Sequence, residues 1–470
     1  MNLASRGLLR LAAVSTLVVA GSAAVVTDGF ADLRFSDFTP LSSSAGPTAN
    51  EAVPITFGNA AFQQRSIADR TTQLAAGAPN SGAWDMITLN ETGPWKGRFL
   101  FTVFETGQSG VQRQDLRTGR TETIWYAPAA GDAVAFDASF WTPWGTLITA
   151  EESWCSNAAG CATSKAGRLF ELTNPLTAPG ISNPVTAASN AGASFFHRNV
   201  VPRVSHEGIQ FDSDWNMYFI DELNGGSLYK YTPAASKWQI QLGRKGYFDA
   251  GQTFVLRAGD GMTPNATGAY TWVPITDANG AGLPGAITIT DPNGVTSVDG
   301  RNTTDLPAFK GPDYQRPEDL QIQVAKGRER LYVATTTTHE VYVLDLKAKT
   351  IGVFANTATR DLATNAAVGG GLANPDNLAI DHDNNIYVIE DRNGGSDDDI
   401  WFAKDLNRDG DLLDAGEGLG RWASNGTPGS EFTGLYFDPF NKRRAWVNIQ
   451  HPSSANDRTI EITLPLPMDH

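Results

Sequence analysis

Glu207, Asp221 and Glu222 fall within one short stretch, Pro202–Glu222, with the sequence PRVSHEGIQFDSDWNMYFIDE. His206 stands beside Glu207, as a core residue or as part of a site. A turn at Asp212–Trp215 and the apolar run Met217–Ile220 separate the first acid from the final pair. That run is too short and too aromatic for a helix, so it reads as a buried strand with carboxylates at its mouth. Like charges gathered at such a mouth repel and desolvate one another, and cations are what let them share a site.

The same arrangement recurs along the chain. GRFLFTVF ends on Glu105, WGTLIT on Glu151 and Glu152 after Ala150, and IYVI on Glu390 and Asp391; LYVATTTT leads to His339 and Glu340, and AWVNI to Gln450 and His451. Gln315, Arg316, Pro317, Glu318 and Asp319 set a cation and a carboxylate two apart, on one side of an extended chain. A guanidinium so placed can offer a fork to a phosphoryl group held by metal. Asn374, Pro375, Asp376 and Asn377 precede another strand-turn-strand unit whose oxygens suit a hard cation such as calcium. In DLNRDGD, Asp405, Asn407, Asp409 and Asp411 alternate around Gly410 as in a calcium loop, although the twelfth position is Gly416 rather than Glu. This loop reads as a separate structural calcium site.

Six strand units at roughly blade-sized intervals predict an all-β fold, a six-bladed β-propeller with extended inter-blade loops, whose inner strands bring the acids to one end of a central channel. The third interval is long. It contains a Gly-rich segment, about 250–310, read as an insertion or as a blade with long loops. With 47 Gly, 25 Pro and 10% aromatic residues, the chain is suited to short strands and turns, so helix should be scarce. The expected division is a signal peptide over residues 1–24, a Ser/Pro/Ala-rich lead-in over 25–56, and one propeller domain over 57–470. The strand Thr459–Leu464 is expected to close the ring against the first blade.

A net charge of -15 disfavours a nucleic-acid or anionic-membrane partner, because both need a basic face. Bound metal can invert the local field, so a phosphorylated substrate stays open. Arg6 and Arg10, the apolar Leu11–Val19 and the small residues that follow read as an export signal, which makes the chain secreted or periplasmic. No later stretch is apolar enough to span a bilayer. In an exported chain the two cysteines, Cys155 and Cys161, are expected to form a short-loop disulfide.

The segments PWGTLITAEE, SHEGIQFDSDWNMYFIDE, RPEDL, NPDNLAIDHDNNIYVIED, EFTGLYFDP and VNIQHP, in that order, resemble the PhoX-type alkaline phosphatases from about Ala31 to Leu466. The resemblance implies a secreted six-bladed propeller that hydrolyses phosphomonoesters with iron and calcium at an acidic mouth. It further implies that Glu207 and Glu318 bind iron, that Arg316 binds phosphate, and that Glu151 or Glu152, Glu222, Asp376, Asn377, and Glu390 or Asp391 bind calcium. Arg316, Glu207 and Glu318 are thus the candidate catalytic residues. One departure bears on the metal. The family reads Thr-Cys-Glu-Glu, with the cysteine an iron ligand, where this chain has Thr149, Ala150, Glu151 and Glu152. The centre is then a calcium site, a site for another metal, or inactive. A small phosphorylated substrate and a monomer are expected. A calcium-dependent propeller esterase or lactonase and a calcium-stabilised binding protein are the other readings.

Overall fold

The structure, a computed structural model, describes residues 35–48, 50–152, 165–182, 190, 192–291, 293–392 and 398–464. The signal segment 1–24 and both cysteines lie outside them. The protein is all-β, with sheets in a propeller-like arrangement. Among the described residues, helix is confined to Arg70–Ala75, Lys237–Gln241, Gly300–Thr303 and one 3-10 turn at Gly369–Gly371. No described helix is long and apolar enough to cross a membrane.

One four-stranded sheet spans Trp84–Tyr126 and a second spans Phe136–His197; a five-stranded sheet joins Ile55–Phe57 to strands between Pro375 and Asn425. A nine-stranded sheet runs from Ile209 to Ala355, its two parts joined where Gly268 and Ala269 pair with Ile351 and Thr350. The segment near 250–310 therefore supplies the strands Gly251–Ala258 and Gly268–Pro274 to this sheet, besides the hairpin Thr288–Thr290/Thr296–Val298.

The first strands of these units pack in cyclic order. Trp84–Leu89 lies against Phe136–Trp141, which lies against Ile209–Phe211; Pro317–Ala325, Pro375–Ile380 and Glu431–Phe437 follow, and the last returns to Trp84–Leu89. Apolar side chains fill the spaces between neighbouring sheets rather than the axis. Ile148, Ala150 and Leu169 meet Val204, Met217 and Phe219, for example, and Ile87 and Leu100 meet Trp446. The next strand of each unit is enclosed on both faces, which is why FLFTVF and MYFI read as unbroken apolar runs.

The chain ends meet in the remaining four-stranded sheet. Arg458–Thr463 pairs with Arg444–Gln450 on one side and with Gln63–Asp69 on the other, in a register running from Gln63–Thr463 to Asp69–Arg458. The C-terminal strand thus takes its partner from before Trp84 and not from the Trp84–Tyr126 sheet, which is complete by itself. Part of the lead-in is also enclosed. Phe35 is buried against Phe62, Trp422 and Phe437, and Ile55–Phe57 pairs with the Ala423–Asn425 end of Gly418–Asn425.

Candidate metal centre

Five inner strands carry a one-residue register shift: Glu431–Phe437 between Thr433 and Tyr436, and, at one end of the ring, four between Trp84 and Ile87, Phe136 and Ser139, Pro317 and Leu320, and Pro375 and Leu378. An extra residue in a bulge breaks the alternation of a strand and re-aims the side chain within it. The four bulges at this end hold Asp85, Asp137, Glu318 and Asp376, and all four line one cavity of about 620 Å³. Glu207, just ahead of Ile209–Phe211, lines it too. Residues that follow the neighbouring strands, Glu105, Glu152, Glu222 and Asp391, complete the wall together with Glu431, Thr433 and His451.

Among these residues Arg316 is the one guanidinium. Its backbone stands at φ 52°, a conformation few non-glycine residues adopt, fixed by a Thr336 N–H bond to its carbonyl and by pairing of Tyr314–Gln315 with Asn224–Gly226. Arg316 Nε and Nη2 donate to Glu222 Oε1 at 3.0 and 2.6 Å, and Nε lies 3.2 Å from Glu318 Oε1. Burial works against its charge, but Glu318 and Glu222 outweigh that and hold its pKa above the ordinary arginine value.

Several of these carboxylates are raised, by burial first and by the charge of neighbouring carboxylates after it. Glu105 is pushed up to about 7, and Glu318 to about 8 with Glu222 the leading neighbour. Asp85, Asp137, Glu152, Glu207, Asp376 and Glu431 are all driven well above the carboxylate range in the same way. Oxygens of Glu207, Glu318 and Asp376 lie within 4.8 Å of one another, close enough to share one cation. Glu207 Oε2 and Asp137 Oδ1 are buried without a hydrogen-bond partner among the described residues. Unpaired buried carboxylate oxygens at such separations are the donors a hard cation takes.

Where two acids are adjacent in sequence, they part company. Glu152 and Asp391 line the cavity. Glu151 is bound by Arg168 through Nε at 2.8 Å and Nη2 at 2.5 Å. Glu390 accepts from Arg392, Trp401 Nε1 and the amides of Ala373 and Asp399. Burial and Asp399 raise the Glu390 pKa to about 8. Asn377 does not line the cavity; it bonds Glu207 and the Gly434 amide. His206 is fully buried, and burial, then Arg301, lowers it to about 3.

The loop Asp405–Asp411 is remote from the mouth, at the opposite end of the sheets, where Lys326 and Arg330 donate to the carbonyls of Asn407 and Arg408. Asn407 Nδ2 donates to Asp409 and Asp414, and Asp409 Oδ1 accepts the Asp411 amide. Asp405 Oδ2 accepts the Gly410 amide, and its Oδ1 is buried without a partner among the described residues. Glu417, one place beyond the vacant twelfth position, turns back onto the amides of Leu406 and Asn407.

Asp85 and Asp137 escaped the sequence reading, because period-two alternation does not reveal a bulge. Their signal is the repeated placement of an acid after Trp84, Phe136, Pro317 and Pro375, two residues before the regular pairing resumes.

The chain matches the family described as "Alkaline phosphatase PhoX" over residues 138–453. Its fold is similar to that of Pseudomonas fluorescens PhoX in complex with vanadate, a transition state analogue, at a TM-score of 0.59 and 14% identity, covering 93% of this chain and all of that one. Lower similarity extends to Staphylococcus aureus virginiamycin B lyase, TM-score 0.43, 11% identity, over 86% of this chain and all of that one. It extends likewise to a Xanthomonas campestris gluconolactonase, TM-score 0.42, 12% identity, over 91% of this chain and all of that one. No curated protein sequence matches.

Proposed function

This chain belongs to the alkaline phosphatase PhoX family, and on that premise we propose that it is an exported, metal-dependent hydrolase of small phosphomonoesters working at the acidic mouth as a monomer. We read the ring as six-bladed, on the cyclic packing of its first strands. The observation that carries the function is the convergence of carboxylates from every unit around the single guanidinium of Arg316.

The donor set fits hard cations of the calcium type. Glu207, Glu318 and Asp376 would hold one jointly, with Glu152, Glu222 and Asp391 as further ligands from the second strands, and Asp85, Glu105, Asp137 and Glu431 across the cavity. Asp405, Asn407, Asp409 and Asp411 would hold a structural calcium apart from them. A thiolate-bound iron does not fit. Position 150 is alanine, fully buried in an apolar cluster with Ala138, Leu169 and Val204. Bound cations of this kind would neutralise phosphoryl charge and acidify a water. Arg316 presents its remaining N–H groups to a non-bridging phosphoryl oxygen while Glu222 and Glu318 orient its plane. Desolvation of the surrounding carboxylates strengthens every charge contact made there.

Purified protein should hydrolyse p-nitrophenyl phosphate, lose the activity to a chelator and regain it with calcium. Turnover of carboxylic esters or lactones with none of phosphomonoesters would replace this reading with an esterase, and turnover of neither would leave a binding protein. Protein purified without chelator should therefore contain calcium and little iron. Metal analysis checks this, and a wild type already loaded with iron and fully active would refute the ligand assignment.

A further inference from the structure

Asn377 lies beside Asp376 on the strand Pro375–Ile380 and is 1% exposed. Both ends of its amide are engaged. Oδ1 accepts the Gly434 N–H at 2.7 Å, and Nδ2 donates to Glu207 Oε1 at 3.2 Å. The side chain thereby links the strand Glu431–Phe437 to the carboxylate ahead of Ile209–Phe211. Gly434 adopts φ 60°, and a Cβ there would stand 2.7 Å from the Ile87 nitrogen, so glycine is what lets this strand lie close against Trp84–Leu89. Glu207 lines both the mouth cavity and a second one of about 340 Å³ bounded by Ser139, Gln210 and Asp319. It forms part of the partition between them.

We propose that Asn377 is a positioning residue that fixes the Glu207 carboxylate rather than a metal ligand. Anchoring Oε1 leaves the unpartnered Oε2 for the cation shared with Glu318 and Asp376. An amide suits this place, because one end accepts from the Gly434 N–H and the other donates to a carboxylate. The proposal rests on the reading of the mouth as a cation centre.

Calcium titration by calorimetry tests it, the mouth step being the one that Glu318→Gln removes. Asn377→Ala should weaken that step about tenfold or more, the usual effect of losing a ligand's outer partner. Asn377→Asp keeps the shape and hence the fold, yet should weaken binding at least as much, since a carboxylate cannot donate to Glu207 and repels it. In a Glu207→Gln background, Asn377→Ala should add less than about a twofold change, because it acts through Glu207. Asn377→Asp binding calcium as tightly as wild type would show a ligand at 377 and overturn the proposal, as would effects that multiply fully in the double variant. A wild type with no mouth calcium step overturns the metal reading itself, and the proposal with it.

Discussion

Glu318→Gln should lower phosphomonoester turnover by about a thousandfold, the equivalent of about 4 kcal/mol of lost charge stabilisation. The same substitution should raise the melting temperature of chelated protein. Both follow from one fact. Glu318 is 1% exposed, and burial and Glu222 hold it to about 8 even with Arg316 Nε at 3.2 Å, so its charge is unfavourable unless a cation meets it. A neutral amide of the same shape removes that repulsion and removes a ligand. The opposite signs separate the effect from misfolding, which would lower turnover and melting temperature together. Turnover near the wild-type level would exclude Glu318 from the centre.

Stability of chelated protein should fall as pH rises from the ordinary carboxylate range to about 8. The mouth carboxylates that burial raises, Glu105 and Glu318 among them, have higher pKa values folded than unfolded, so the folded state binds more protons, and stability declines with pH wherever that holds. The window opens near the ordinary values of 3.8 for Asp and 4.5 for Glu, and it extends past Glu105 at about 7 to Glu318 at about 8. Calcium, which binds the ionised form, should flatten this decline and release protons as it binds. Melting curves at pH 5 and pH 8, with chelator and with calcium, measure the effect. A chelated protein more stable at pH 8 than at pH 5 would contradict the account.

The all-β character was legible in the sequence because the enclosed strands, such as FLFTVF, MYFI and IYVI, are apolar on both faces and end in acids. The general location of the acidic mouth followed from those endings. Which acid of an adjacent pair enters the mouth was not legible, since neighbours on a strand face opposite ways and the distinction depends on Arg168 and Arg392, distant enough in role to look like surface cations. Asp85 and Asp137 stayed hidden for a different reason. A bulge is a property of pairing between two strands, and neither strand alone records it. The role of Asn377 depends likewise on Gly434 and Glu207, which approach it only in the folded ring.

The pairing of Gln63–Asp69 with Arg458–Thr463 has a consequence for how the chain reaches its native state. A strand made early in synthesis waits for one near the other end of the chain, so the final sheet stays incomplete until that late strand is available. Loop closure over that span costs entropy that only the finished contacts recover, which makes ring closure a late and slow event. Until then the edge of Arg444–Gln450 and the apolar faces of Trp446 and Ile449 stay open to other chains, and a truncated or stalled product would be prone to aggregate through that edge.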